Sequence, residues 1–202
     1  MATPVGHYRL GLAIARAVGR GDGGRRRALL LAGIAVVPDL DVLPGLLVGE
    51  LGRFHHGATH SLAAAAAFGV AGVALVGRGG PGRVLFVFTL AFLLYTSHLV
   101  LDLLTLDTGP PIGVPLLWPW SRQTFQAPWV LLPNVQHTSG PLISVHNVLL
   151  AVREVAVFLP LALLTDALKA AHLPRPRRAV WLYAGWFLMA LGASLFSLRQ
   201  LS

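Results

Sequence analysis

Three histidines fall within six residues in Phe54-His55-His56-Gly57-Ala58-Thr59-His60-Ser61. Imidazole nitrogen is the commonest side-chain ligand for metals. Gly57 permits a sharp bend, so His55 and His60 can fold toward one centre. Thr59 is expected to cap a helix that begins at Ser61. His98 and Asp102 are four apart, which sets them one turn apart on one helix face, extended by Tyr95 and Thr105. Such a pair either binds metal ions or ties two helices through a His–Asp hydrogen bond. Asp39 and Asp41 follow Pro38 directly in Pro38-Asp39-Leu40-Asp41. Two close carboxylates repel unless a cation or proton lies between them; the other reading is a pair of solvated acids at a helix end. His7 by itself reads as a solvated histidine near a terminus. Arg122 holds an anionic group or lies on the surface. His137, His146 and His172 lack partners at metal spacing.

The chain has no cysteine, so disulfides and thiolate metal sites are excluded. A metal must therefore sit on nitrogen and oxygen. Neutral imidazole with carboxylate suits zinc, and manganese or iron are also admitted. The Gly21 to Gly24 stretch lacks the Lys-Ser/Thr ending of a phosphate loop. No Ser-His-Asp order can be argued either.

These side chains have to be positioned by apolar helices. The clearest span is Ala179 to Leu198, uncharged, with Trp181, Tyr183 and Trp186 near its start as interfacial anchors. Val84 to Leu101 is the next, and its one ionisable residue is His98. Ser61 to Gly77 is Ala-rich, and its small residues allow close packing in lipid. Ala28 to Val37 is apolar but short and is expected to stop at Pro38. Ile143 to Leu168 is interrupted by polar residues, so Arg153 and Glu154 are expected to face protein interior or an interface. A first short helix is expected over Tyr8 to Val18, ending in a glycine-rich turn. No cleavable signal peptide is expected, because the apolar run starts only after residue 27 and no small-residue cleavage site follows it. The connection Thr105 to Leu142 is long enough to be functional.

Three turns are basic: Arg20 with Arg25 to Arg27, Arg78 with Arg83, and Lys169 with Arg175, Arg177 and Arg178. Placed in the cytoplasm, they make the chain alternate cleanly. His7, Asp39, Asp41, His55, His60, His98, Asp102 and the long loop then all fall on the opposite side. Composition agrees with a lipid-embedded chain. Of 202 residues 55% are hydrophobic and 12% charged, against about 25% charged in soluble domains. The mean hydropathy is +0.68. The net charge of +8 would suggest nucleic acid in a soluble protein, but its confinement to short turns fits the membrane reading better. The length fits one domain over 1–202.

Together these residues resemble the YdjM family of membrane-bound proteins described as metal-dependent hydrolases. The matching pieces are Gly6-His7, Leu40 within Pro38-Asp39-Leu40-Asp41, and His55-X-Gly57-X-Thr59-His60-Ser61-Leu62. His98-Leu99-Val100-Leu101-Asp102 and Gly113-Val114-Pro115-Leu116-Leu117-Trp118-Pro119 complete the set, which runs in order over residues 6–125. Beyond it the chain is matched only as hydrophobic helix. The resemblance implies metal ligands at His7, Asp39, Asp41, His55, His60, His98 and Asp102. His56 stands where the family has arginine, so that arginine's anion-binding role is absent or passes to Arg53 or Arg122. A more distant similarity to zinc phospholipase C and fungal single-strand nucleases implies phosphoester hydrolysis at a zinc cluster.

The expectation is therefore an all-α, polytopic membrane bundle of about four to six helices with a long extracytoplasmic loop. It would sit in the cytoplasmic (inner) membrane with its site on the extracytoplasmic side. The expected function is metal-dependent hydrolysis of a phosphoester, with a membrane lipid or lipid-linked headgroup as substrate. Asp39 or Asp41 would bridge metals or take a proton, and Arg122 would hold the anion. A metal fixing a helix bundle without catalysis, and a metal or proton transporter using His98 and Asp102, are the other classes.

Overall fold

The computed structural model describes residues 1–18, 24–50, 53–76, 79–108, 112–135, 144–170 and 176–199. His137, His172 and most of the Gly21 to Gly24 stretch lie outside them. Helices α1 (Pro4–Val18), α2 (Gly24–Ala32), α3 (Val42–Leu47), α4 (Leu62–Val76), α5 (Pro81–Leu103), α6 (Val145–Lys169) and α7 (Pro176–Arg199) follow in order. A 3-10 stretch, Gly33–Asp41, joins α2 to α3, and a 3-10 turn, Ala58–His60, precedes α4. Among the described residues there is no strand, only isolated bridges Thr105–Leu132 and Val114–Phe125 in the long loop.

Four segments are long and apolar enough to cross a membrane: Gly24–Leu47, Pro81–Leu103, Val145–Lys169 and Arg178–Phe196. The first differs from expectation. The chain does not stop at Pro38; α-helical winding gives way at Gly33 to 3-10 winding, which runs through the proline to Asp41, and the segment continues to Leu47. Proline lacks an amide hydrogen and clashes with the preceding turn of an α-helix, so altered winding carries the chain across it. Helix α4, by contrast, has 15 residues, about 22 Å against an apolar core of about 30 Å. Helix α6 runs unbroken through the polar positions. Its Glu154 is fully buried, and Arg153 donates to the Ser194 carbonyl on α7 at 3.3 Å.

Helix α1 lies at the centre, packed against α2, the 3-10 stretch, α5 and α6. It starts earlier than Tyr8 because Thr3 caps it. The Thr3 hydroxyl oxygen accepts from the amides of Val5 at 3.2 Å and Gly6 at 3.4 Å, with Pro4 at the first helical position. The contact with the 3-10 stretch is close: a Cβ at Gly11 would lie 2.7 Å from that of Ala35. Small residues bring backbones together in this way where lipid removes the usual hydrophobic drive. Around this crossing Leu12, Ala13, Ala15, Ala28, Ala32, Leu94 and Ala162 form one core, and a second joins Ala2, Leu101, Leu132, Leu150, Val157 and Phe158.

The two ends of the bundle differ chemically. At one, Arg16 pairs with Asp166 at 2.9 Å and the Lys169 ammonium donates to the Arg16 carbonyl. Val18, Arg27 and Phe86 line one pocket at that same end. The other carries the histidines, the aspartates and the loop, with Trp120 and Trp129 strongly exposed. Exposed tryptophan at one end and Trp181 at the start of α7 match interfacial belts. In intact cells an impermeant maleimide is expected to label Gln123→Cys, and to label Gly80→Cys only after permeabilisation. The reverse pattern would place the histidine end in the cytoplasm.

Candidate metal centre

The centre is assembled from four parts of the chain. The first turn of α1 carries His7, the 3-10 stretch carries Asp39 and Asp41, the turn before α4 carries His55, His56 and His60, and the last turns of α5 carry His98 and Asp102. His7, His60 and His98 are fully buried, and Asp39 and Asp102 nearly so.

The winding of the 3-10 stretch decides where the two aspartates go. Residues two apart in an α-helix point about 200° apart, on opposite faces. At three residues per turn they are about 120° apart, so both can address one centre from different sides. Asp39 Oδ1 lies 3.4 Å from His98 Nε2 and 3.9 Å from His60 Nε2. Asp41 lies behind His60. Its Oδ2 is 3.0 Å from His60 Nδ1 and accepts from the Thr59 hydroxyl at 2.7 Å, while Oδ1 meets His55 Nδ1 at 2.7 Å. Thr59 is thus spent on Asp41 and does not cap α4. Ser61 does so instead, its hydroxyl accepting from the Ala64 amide at 3.1 Å. The Tyr95 hydroxyl holds the turn by donating to the Thr59 carbonyl at 2.8 Å. Thr105 donates back to the Leu101 carbonyl within its own helix end.

These hydrogen bonds set the histidine tautomers. His98 Nδ1 donates to the Ala35 carbonyl at 2.8 Å. His60 Nδ1 faces the Asp41 carboxylate and so carries its hydrogen there. In the neutral rings both Nε2 atoms are then lone-pair acceptors, and they face each other at 3.1 Å. Burial pushes the His60 pKa down to about 4, so its ring is neutral near pH 7. Two lone pairs at that distance repel unless a proton or a metal ion lies between them.

The carboxylates complete the arrangement. Asp102 Oδ2 is 3.0 Å from His98 Nε2 and 3.6 Å from His60 Nε2. A tetrahedral ion with bonds of about 2.0–2.2 Å needs ligand atoms about 3.3–3.6 Å apart. The His60 and His98 Nε2 atoms lie 3.0 to 3.9 Å from each other, from Asp39 Oδ1 and from Asp102 Oδ2. Both Asp39 oxygens, Asp102 Oδ2 and both His7 nitrogens are buried without a well-formed hydrogen bond. That is costly unless another ligand satisfies them. The residues present therefore fit a metal ion. His7 stacks on His98 with ring centroids 3.6 Å apart, and its Nε2 is 3.3 Å from Asp102 Oδ1.

A wider ring surrounds this set. His56 has a left-handed backbone, φ +59°, a conformation histidine adopts more readily than most residues. Its Nδ1 lies 3.5 Å from Asp107 and its Nε2 3.9 Å from Asp102. Potential ligand atoms cluster in three overlapping groups: His55 with His56 and His60, His7 with Asp39 and His98, and His60 with His98 and Asp102. Because His60 and His98 recur, these are parts of one cluster. The candidate arginines stand outside it. Arg53 pairs with Glu50 at 3.6 Å and lies over the Phe54 ring. Arg122 is exposed. Among the described residues neither makes an ion pair or hydrogen bond to the cluster. His146 is on the surface, bonded to the Asn134 carbonyl at 2.8 Å.

Asp107 and Glu154 are the participants that spacing did not bring forward. Asp107 accepts from the Gly113 amide at 2.8 Å and so joins the loop to His56. Glu154 crosses from α6 to the start of α1, accepting from the Thr3 amide at 2.7 Å, the Gly6 amide at 3.0 Å and the Thr3 hydroxyl. The next amide along, that of Ala2, donates to Asp102 Oδ1 at 3.2 Å. Its one signal in sequence is an acidic residue inside an apolar helix.

A family model described as YdjM inner membrane protein matches residues 1–201, well beyond the 6–125 that carry the motifs. The inner membrane protein YbcI of Escherichia coli (strain K12) is 40% identical over 113 residues, 52% of this chain and 61% of that protein. The aligned part thus spans less than two thirds of the curated relative. No solved structure matches.

Proposed function

The chain belongs to the YdjM inner membrane protein family, and from that membership and its buried cluster we propose that it is a metal-dependent hydrolase of a phosphoester. It is a multi-pass inner-membrane protein with a His/Asp cluster that could bind metal. The observation that carries the proposal is the pair of facing imidazole nitrogens, 3.1 Å apart, beside buried carboxylate oxygens that lack a hydrogen-bond partner.

His60, His98, Asp39 and Asp102 would hold the ion, with His7 beside them. Zinc fits this donor set best, and manganese or iron are compatible. A divalent ion in such a site supplies Lewis acidity, neutralising charge on a phosphoryl oxygen and lowering the pKa of water to about 7. The protein's own groups do the rest. Asp41 fixes the His60 ring and its tautomer, the role an outer carboxylate commonly plays behind a metal-binding histidine. Asp39 has oxygens to spare for a second ion or a proton. Arg122, exposed in the loop, would meet an anionic substrate from outside. A cysteine nucleophile is excluded by composition.

The test is a panel of phosphodiesters and phospholipids assayed with detergent-purified, metal-loaded protein. Activity is expected to vanish on chelation, to return with zinc or manganese, and to be lost in His98→Ala and Asp102→Ala. Arg122→Ala is expected to raise KM with metal content unchanged; metal loss in that variant would make Arg122 a support of the fold. A second reading follows from the same donor set: four donors are as many as the closed shell of a structural site takes. Fully loaded protein that is inert across the panel would select it.

A further inference from the structure

A cavity of about 510 Å³ opens beside the cluster, within the size range of ligand sites. Its walls are Val5 from α1, Val36 and Leu40 from the 3-10 stretch, and Val148 and Ala151 from α6; Asp39 and His55 also border it. Met1, Thr3 and Asn147 add polar groups at the lining, and the rest of it is hydrocarbon. Both the 3-10 stretch and α6 belong to membrane-crossing segments. Leu40, Val5 and Val148 are about half exposed, so the mouth between the first turns of α1 and α6 faces the bilayer. Asp39 is only 5% exposed, and neither of its oxygens has a hydrogen-bond partner. The groove thus joins an apolar wall, open toward lipid, to an unsatisfied buried carboxylate at the metal cluster.

We propose that this groove seats one hydrocarbon chain of a membrane lipid, entering sideways, with the lipid's polar end at Asp39 and His55. The inference rests on the hydrolytic reading for the lipid's role as substrate, whereas the seat itself can be measured without turnover. A water-soluble phosphoester has no use for such a wall. A bilayer supplies hydrocarbon at very high local concentration, and moving a chain from lipid into protein gains little hydrophobic free energy. The groove therefore selects and orients more than it tightens binding, holding the headgroup bond at the cluster.

The experiment uses the full chain in phospholipid vesicles doped with phosphatidylethanolamine carrying a photoreactive diazirine midway along one acyl chain. Cross-links are mapped by mass spectrometry and compared between the groove and the lipid-facing surface of α7 around Leu188 and Met189. Enrichment in the groove is expected. Ala151→Phe, which fills it, should reduce groove labelling several-fold with α7 labelling and metal content unchanged. Val148→Phe, at the exposed rim, is the second variant in case the first misfolds. Groove labelling no greater than on α7, and untouched by either substitution, would overturn the proposal. Groove cross-links without turnover of any phosphoester would sink the hydrolase reading and leave the lipid seat standing. Turnover of soluble phosphoesters with no groove labelling would do the opposite.

Discussion

His98→Ala protein is expected to purify essentially free of transition metal, under non-chelating conditions in which the native chain retains it. His98 Nε2 is the hub of the cluster, within 3.4 Å of a donor atom on each of His60, Asp39 and Asp102. Its removal takes away one donor and the imidazole nitrogen nearest to both buried carboxylates. His60→Ala should behave in the same way. Asp41→Ala is the informative contrast. It leaves the four inner donors in place and removes only the group that orients His60 and His55. Loss of such an outer partner weakens metal binding about 10–100-fold, so this variant should bind metal but surrender it to a weaker chelator. Elemental analysis with chelator competition separates the cases. Metal contents equal to wild type in both histidine variants would remove the cluster from consideration as a metal site.

The second large effect is expected far along the chain. Glu154 satisfies two backbone amides and one hydroxyl at the start of α1. Leaving buried donors unpaired costs about 1–3 kcal/mol each. Glu154→Ala should therefore destabilise the protein by about 3–5 kcal/mol, a large part of an ordinary folding free energy. It should also loosen the metal, because His7 lies one turn beyond Thr3 and the Ala2 amide bonds Asp102. Glu154→Gln keeps one acceptor oxygen and should fall between. Thermal melts with and without added zinc read both effects. An alanine variant that melts with wild type and binds metal as tightly would make Glu154 a bystander. Gly6 is bound up in the same contact, since a Cβ there would lie 2.7 Å from the Glu154 carboxyl carbon.

Much of this was legible in sequence, and the reasons differ by residue. The convergence of His7, Asp39, His60, His98 and Asp102 follows from alternating apolar segments and basic turns, which need only hydropathy and charge. The i, i+4 spacing of His98 and Asp102 needs only helical geometry. The different placements of Asp39 and Asp41 were not legible, because they depend on 3-10 winding, and a proline after a short apolar run reads as a helix end. Thr59 and Ser61 are both good caps by type. The choice between them depends on a carboxylate 18 residues away that occupies Thr59. Glu154 announced itself as buried, but its partners are backbone amides, which carry no residue signature. Arg53 and Arg122 looked alike as charges; only the fold shows Arg53 engaged with Glu50 and Arg122 facing outward.

The overwound stretch between Ala32 and Val42 also has a consequence for how this sequence can drift. Its outward residues, Leu40 among them, can be exchanged for other apolar side chains at little cost. Its length cannot be changed. Losing or gaining one residue at three per turn would swing everything beyond it by about 120° and shift it about 2 Å along the axis. Asp39 would turn away from His98, and Asp41 would let go of His60. Insertions and deletions there should be far rarer among functional relatives than substitutions, and a single-codon deletion should be as damaging as the loss of a histidine.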